Sequence, residues 1–252
     1  GSVTSSGLWK LGLFAMIKPR VTVLLYHRVS DDARDNLTTG IEQFDRQMSL
    51  LRGHCEVLSV EEVLMLKRIP KTKHPLVCVT FDDGYLDNFT NAAQILLRHE
   101  IPAAFFVSTG LIGTSRVFPH DVRRGNQAIP MMNWDHLRAM HSDGFTIGSH
   151  TVTHIDCAGE PEDVVKHELM QSRDDLVREL KLKSILFGYP YGGRQHMTQQ
   201  RLELVKQAGF VGCLSAYGGT NIGTVDPFDV RRRGIHWEYS DDSFIFECFG
   251  LR

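Results

Sequence analysis

Apolar positions along this chain follow two spacings, and each spacing marks a kind of element. Short, nearly continuous apolar runs at 21–26, 77–81, 101–109, 145–147, 184–187, 210–215 and 230–235 predict buried strands, with a shorter one at 57–58. Between them the spacing lengthens to three and four. Ile41, Phe44, Met48 and Leu51 predict one helix, and Val164, Val165, Leu169, Leu176 and Leu180 share one side of another over 161–180. A further helix is read over 89–97. Start signals reinforce the pattern: Ser59-Val60-Glu61-Glu62 reads as a capping box, Asn133 can cap a helix containing Trp134, Leu137 and Met140, and Thr198 can cap one that stops at Gly209.

Strand and helix alternate from residue 21 onward with no linker and no internal repeat. This implies βαβ units around a mainly parallel sheet, and alternation alone leaves an open sheet and a closed barrel equally available. Residues 1–20 read as an amphipathic N-terminal extension and 21–252 as a single domain. The stretch 110–130, with two prolines and several charges, reads as a long loop on the functional side.

Composition narrows the partners. With 42% hydrophobic and 23% charged residues the chain is of ordinary globular type, and no apolar run approaches the eighteen or so residues that cross a bilayer. A net charge of -2 gives no reason to expect nucleic acid and suits a neutral polymer. Five scattered cysteines without a disulfide-framework spacing favour a reducing, cytoplasmic compartment. Gly1-Ser2 reads as a cloning scar, so the lack of a signal peptide says little. Nothing in the sequence bears on oligomeric state.

The chemistry concentrates at two strand ends. The run 77–81 closes in Asp82-Asp83-Gly84; neighbours on an extended chain alternate faces, so one carboxylate can bind a metal while the other stays free as a base. A plain Asp-Gly turn is the alternative. The run 145–147 leads to His150 and His154, whose four-residue spacing places both imidazoles on one side of a helical turn, able to converge on one ion. With twelve histidines in the chain, purely structural ones are the alternative.

TFDDGY at 80–85, SHTVTH at 149–154 and YPYGG at 189–193, in that order, closely resemble the first three motifs of the polysaccharide deacetylases, carbohydrate esterase family four, over roughly residues 21–235. The resemblance implies a distorted (β/α) barrel with about seven parallel strands. It implies a metal-dependent N-deacetylase acting on acetamido groups of an N-acetylated polysaccharide or oligosaccharide. Asp83, His150 and His154 would hold a divalent metal, zinc first, with cobalt, nickel or iron accepting similar ligands. Asp82 would be the general base, and Arg232, within the run Arg231-Arg232-Arg233, the residue that pairs with it.

The chain departs from the common family pattern at the acid. Residues 236–252 contain only His236 where a Leu-x-His motif is usual, and Leu25-Tyr26-His27 resembles the branch in which that motif sits on the first strand. His27 is then the proton donor to the leaving amine. In YPYGG, glycines permit close backbone approach, and the Tyr191 N–H would bind the oxyanion. Phe187 and Gly188 stand where an arginine is common, which favours an arginine arriving from 231–233. Tyr85, Trp134, Tyr189 and Trp237 are candidate sugar platforms, with core packing as the alternative. Two other functions fit the same residues: deacylation of a small or lipid-linked amide, and carbohydrate binding without turnover.

Overall fold

The strands are β1 (Arg20–Tyr26), β2 (Arg28–Val29), β3 (Thr38–Thr39), β4 (Glu56–Val57), β5 (Leu76–Phe81), β6 (Ala103–Val107), β7 (Thr146–Ser149), β8 (Leu186–Gly188), β9 (Gly212–Leu214), β10 (Asn221–Ile222) and β11 (Arg232–Gly234). The helices are α1 (Ile41–His54), α2 (Val60–Met65), α3 (Gln94–Arg98), α4 (Pro119–Arg123), α5 (Trp134–Ser142), α6 (Glu162–Leu180), α7 (Gln199–Gln207) and α8 (Asp241–Cys248). The structure, a computed structural model, describes residues 18–32, 35–125 and 129–251, so most of the N-terminal extension read over 1–20 lies outside the described residues.

Strands β1, β5, β6, β7, β8 and β9 lie side by side and parallel, and β11 adds in parallel to the other side of β1. Val230, just before β11, bridges Leu214 of β9, so seven parallel strands curl into a distorted barrel with a one-residue seam. Short flanking strands complete the sheet: β4 beside β5, and β10 antiparallel to β1.

The strands are buried on both faces, which is why they read as apolar runs rather than as alternation. Val77, Val79 and Phe81 of β5 face a layer of helix side chains that includes Phe44, Leu96 and Leu169. Cys78 faces the other way, into a plug with Val23, Ala104, Phe106, Leu186 and Val230. Each buried Val, Leu or Phe among them contributes roughly 1.5–3 kcal/mol through removal from water. A Cβ on residue 148 would lie 2.5 Å from the Phe106 ring, so glycine on β7 is what admits the largest member of the plug. The same two-residue period carries β5 onward from Cys78 to Thr80 and Asp82, placing that carboxylate directly above the plug.

Local signals set most helix ends. Ser59 accepts from the Glu62 amide at 3.2 Å while Glu62 accepts from the Ser59 amide at 2.7 Å, and Asn133 and His136 form the equivalent pair at α5. The segment read as a helix over 89–97 is instead a π-helical stretch, Asn88–Ala93, running into α3. Its wider turn accompanies two tertiary bonds, from Asn88 to the His27 carbonyl at 2.7 Å and from Asn91 to that of Val29 at 2.8 Å. Two helices went unread: α4, five residues inside the long loop, and α8, capped by Ser240. All five cysteines are free thiols, and no helix among the described residues is long and apolar enough to cross a membrane.

Candidate active site

Loops at the C-terminal ends of the parallel strands gather at one mouth of the barrel, the usual place for chemistry in this architecture. Asp82 accepts from both Arg232 terminal nitrogens, at 2.7 and 2.8 Å. Arg232 is fully buried, lies 5.4 Å from the Phe106 ring centre and donates through Nε to the Ser215 carbonyl at 2.6 Å. Its neighbours point elsewhere: Arg233 pairs with Glu247 at 2.5 Å, and Arg231 lies 3.9 Å from Asp229. Burial pushes the Asp82 pKa up, but Arg232, helped by His150, outweighs it and holds the group below the usual carboxylate value.

Asp83 diverges from Asp82 for a reason that strand alternation does not supply. Its φ is +80°, so the chain has left the extended conformation and a left-handed turn aims the side chain. The Asp83 Oδ1 atom lies 3.5 Å from His150 Nε2 and 3.4 Å from His154 Nε2, and Oδ2 lies 3.5 Å from His120 Nε2. Both carboxylate oxygens are buried without a close hydrogen-bond partner.

His150 Nδ1 lies 2.7 Å from the Gly188 carbonyl, which can only accept, so the proton is on Nδ1 and the Nε2 lone pair faces Asp83. Burial pushes the His154 pKa down to about 3, against the pull of Asp83. At His150 burial also lowers the pKa, but Asp82 and Asp83 outweigh it and raise the value. Ligand atoms of Asp83, His150 and His154 all lie within 4.8 Å of one another. An orphaned buried carboxylate beside the His150 lone pair and His154 Nε2 fits a divalent cation.

The histidine segment corrects the helical turn expected from its spacing. Residues 150–154 form a non-helical loop with Thr151 at φ +63° and His154 at φ +59°. A left-handed conformation at a β-branched residue costs on the order of 1–3 kcal/mol and needs surrounding support. Glu168 of α6 supplies it, accepting from the Val152 amide at 2.8 Å, the Thr153 amide at 2.9 Å and the Thr153 hydroxyl at 2.8 Å. Glu168 escaped sequence reading, although a carboxylate beside Leu169 on the apolar side of α6 was a usable signal.

Tyr191, at φ +61°, sets its half-exposed ring 4.9 Å from that of His154. A Cβ at residue 192 would fall 2.5 Å from the Ala216 backbone nitrogen, so this turn does depend on glycine for close approach. The His27 side chain lines the mouth at the end of β1, where burial lowers its pKa against the pull of Asp83 and Asp82. A cavity of about 750 Å³ runs between His27, Asp83, His120, Arg123, Arg124 and Tyr191. His120 was another omission; it sits on α4, a helix too short to show a period. Of the candidate sugar platforms, Tyr85 and Tyr189 are core residues at 0% and 1% exposure, and Trp134 is partly buried against the same core. Trp237 is 41% exposed and borders a second cavity of about 430 Å³ with Gln43 and Tyr239.

Residues 70–212, more than half of the chain, match the family described as polysaccharide deacetylase. The chain belongs to the polysaccharide deacetylase family. Among curated relatives, a Bacillus subtilis (strain 168) protein described as a polysaccharide deacetylase is 24% identical over 193 residues, covering 76% of this chain and 62% of the relative. The poly-beta-1,6-N-acetyl-D-glucosamine N-deacetylase of Staphylococcus aureus is 25% identical over 195 residues, covering 73% of this chain and 63% of the relative. This deacetylase-family chain therefore spans less than two thirds of the length of these relatives. Its fold is shared with the Streptococcus pyogenes deacetylase PplD, solved with acetate, at TM-score 0.76 and 23% identity over 92% of this chain and 99% of that one. IcaB from Ammonifex degensii matches at TM-score 0.74 and 23% identity over 93% of this chain and 98% of that one.

Proposed function

We propose that this chain is a metal-dependent N-deacetylase of an N-acetylated polysaccharide or oligosaccharide. The observation that carries the reading is the orphaned Asp83 carboxylate beside His150 and His154 at the mouth of the barrel. These three residues would hold the ion, zinc first, with cobalt, nickel or iron as alternatives. Bound there, a divalent ion polarises an acyl carbonyl and acidifies water.

The protein's own groups do the remaining work. Asp82, kept ionised by Arg232, takes a proton from the attacking water as its oxygen bonds to the acetyl carbon. The Tyr191 backbone N–H donates to the developing oxyanion, and it engages no other acceptor among the described residues. His27, a largely neutral imidazole once water is excluded, must first take up a proton to serve as the acid. It then delivers that proton to the departing nitrogen as the C–N bond breaks, leaving acetate and a free amine.

The named substrate of the Staphylococcus relative makes poly-β-1,6-linked N-acetylglucosamine the first polymer to try. Acetate release from N-acetylglucosamine oligomers by zinc-loaded protein is expected, with Asp83→Ala inactive. A folded, zinc-loaded protein that releases no acetate from β-1,6- or β-1,4-linked oligomers would overturn the reading.

A second reading has one observation in its favour. Arg123 and Arg124 line the cavity, and neither pairs with a carboxylate among the described residues; Arg124 is fixed instead by Asn36 at 3.3 Å and the His120 carbonyl at 2.9 Å. A substrate carrying a phosphate or carboxylate near its acyl amide, such as a lipid-linked one, would find these charges. Turnover of such a substrate would fall steeply with salt, and that of a neutral oligomer would not.

A further inference from the structure

Asp83 offers Oδ1 to the two histidines and turns Oδ2 toward an element from a distant part of the chain. His120 Nε2 lies 3.5 Å from that Oδ2 and 3.0 Å from the Tyr85 hydroxyl. The Tyr85 hydroxyl in turn donates to Asp121 Oδ2 at 2.7 Å. A phenol has one proton, and Tyr85 gives it to Asp121 Oδ2, so its oxygen can only accept from His120 Nε2. The Nε2 of His120 therefore carries a hydrogen, which is given to the Tyr85 oxygen at 3.0 Å, and the same N–H edge stands 3.5 Å from Asp83 Oδ2 without bonding to it.

The imidazole has little freedom to turn away. Phe118 stacks on it with ring centres 4.9 Å apart and planes 14° from parallel, and the His154 ring lies 5.1 Å off. Tyr85 and Asp121 are fully buried and His120 is 8% exposed, so water competes weakly for these bonds.

We infer that His120 is a positioning residue for the metal centre: its N–H edge, fixed by Tyr85 3.5 Å from the outer oxygen of Asp83, attracts that oxygen, so that Oδ1 alone is presented to an ion shared with His150 and His154. The inference rests on the reading of Asp83, His150 and His154 as a divalent-ion site. Outer partners of this kind orient ligands and raise affinity. Because His120 belongs to α4, docking of the 110–125 segment and ion affinity become linked, and linkage is reciprocal.

The test is titration of the metal-free chain with Co²⁺, followed by calorimetry and visible absorbance, on wild type, His120→Met and His120→Gln. Methionine matches the side-chain length without a donor, and glutamine returns an N–H near the Nε2 position. The expected result is roughly a 10–100-fold loss of Co²⁺ affinity in His120→Met, largely recovered in His120→Gln. Hydrogen exchange at 120–123 should slow on Co²⁺ binding in wild type and in His120→Gln, and not in His120→Met. Equal affinities in wild type and His120→Met would overturn the inference. Equal losses in both variants would also overturn it, by showing that the ring is needed only for packing. If wild type itself binds no Co²⁺, the underlying reading of the metal site fails.

Discussion

Arg232 closes on Asp82 with two parallel hydrogen bonds of 2.7 and 2.8 Å, although 150 residues separate them in the chain. The pair sits above the barrel plug, where an unmatched charge is costly. Arg232→Met should therefore destabilise the fold by about 3–5 kcal/mol, read from urea denaturation at neutral pH. With the guanidinium gone, burial is opposed only by the weaker pull of His150 and His27 and the Asp82 pKa rises, so the acid limb of any pH–rate profile moves to higher pH. The sign for stability is the usual one for a depressed carboxylate: the contribution is present above the unfolded pKa and lost as pH falls through the folded one. An unshifted acid limb in a folded variant would argue against this role of the pair.

Glu168 holds the left-handed loop that carries both histidines. Glu168→Ala strips the acceptor from two backbone amides and a hydroxyl, and a loss of roughly 1–3 kcal/mol is expected together with weaker metal binding. Thermal unfolding of the metal-free protein separates the two effects. A variant of unchanged metal affinity would mean that the loop keeps its shape without Glu168.

Asp87 gives a pH dependence of the opposite sign. Burial pushes its pKa up to about 6, against hydrogen bonds from the Val29 amide and Asn88. Below about pH 4 both folded and unfolded chains hold the proton and no penalty exists. Between about pH 4 and pH 6 the unfolded chain is ionised while the folded one keeps its proton, so stability falls across that window and stays lower above it. Asp87→Asn keeps an acceptor oxygen and loses the charge. It should match wild type near pH 4 and exceed it by about 3 kcal/mol at pH 7.5, compared by urea denaturation of metal-free protein.

Removal of the metal is a stability experiment as much as an activity one. An ion that binds only the folded chain, at a free concentration 100 times its Kd, adds about 2.7 kcal/mol, so a chelator should lower the thermal midpoint. Asp83→Ala should show no difference between chelator and added zinc. A midpoint in the wild type that ignores chelator would count against the ion site.

The alternation of apolar runs with helical spacings was enough to define a parallel α/β sheet, because burial on both faces writes itself into consecutive residues. The three motifs identified the family and the barrel, since each is a short local segment at a strand end. The sequence could not choose among Arg231, Arg232 and Arg233. Only the pairing of Val23 on β1 with Arg232 on β11 fixes which one faces inward, because a one-residue slip in a strand reverses every side chain. Nor does spacing report backbone conformation: the four-residue interval between His150 and His154 is helical in pattern but is held as a strained loop by Glu168, a residue on another element. His120 and Glu168 reach the site through contacts between segments distant in the chain, and such contacts leave no period in the sequence. Local propensity and burial were therefore legible from the residues themselves, whereas register, the left-handed turns and the outer partners of Asp83 were decided by tertiary packing.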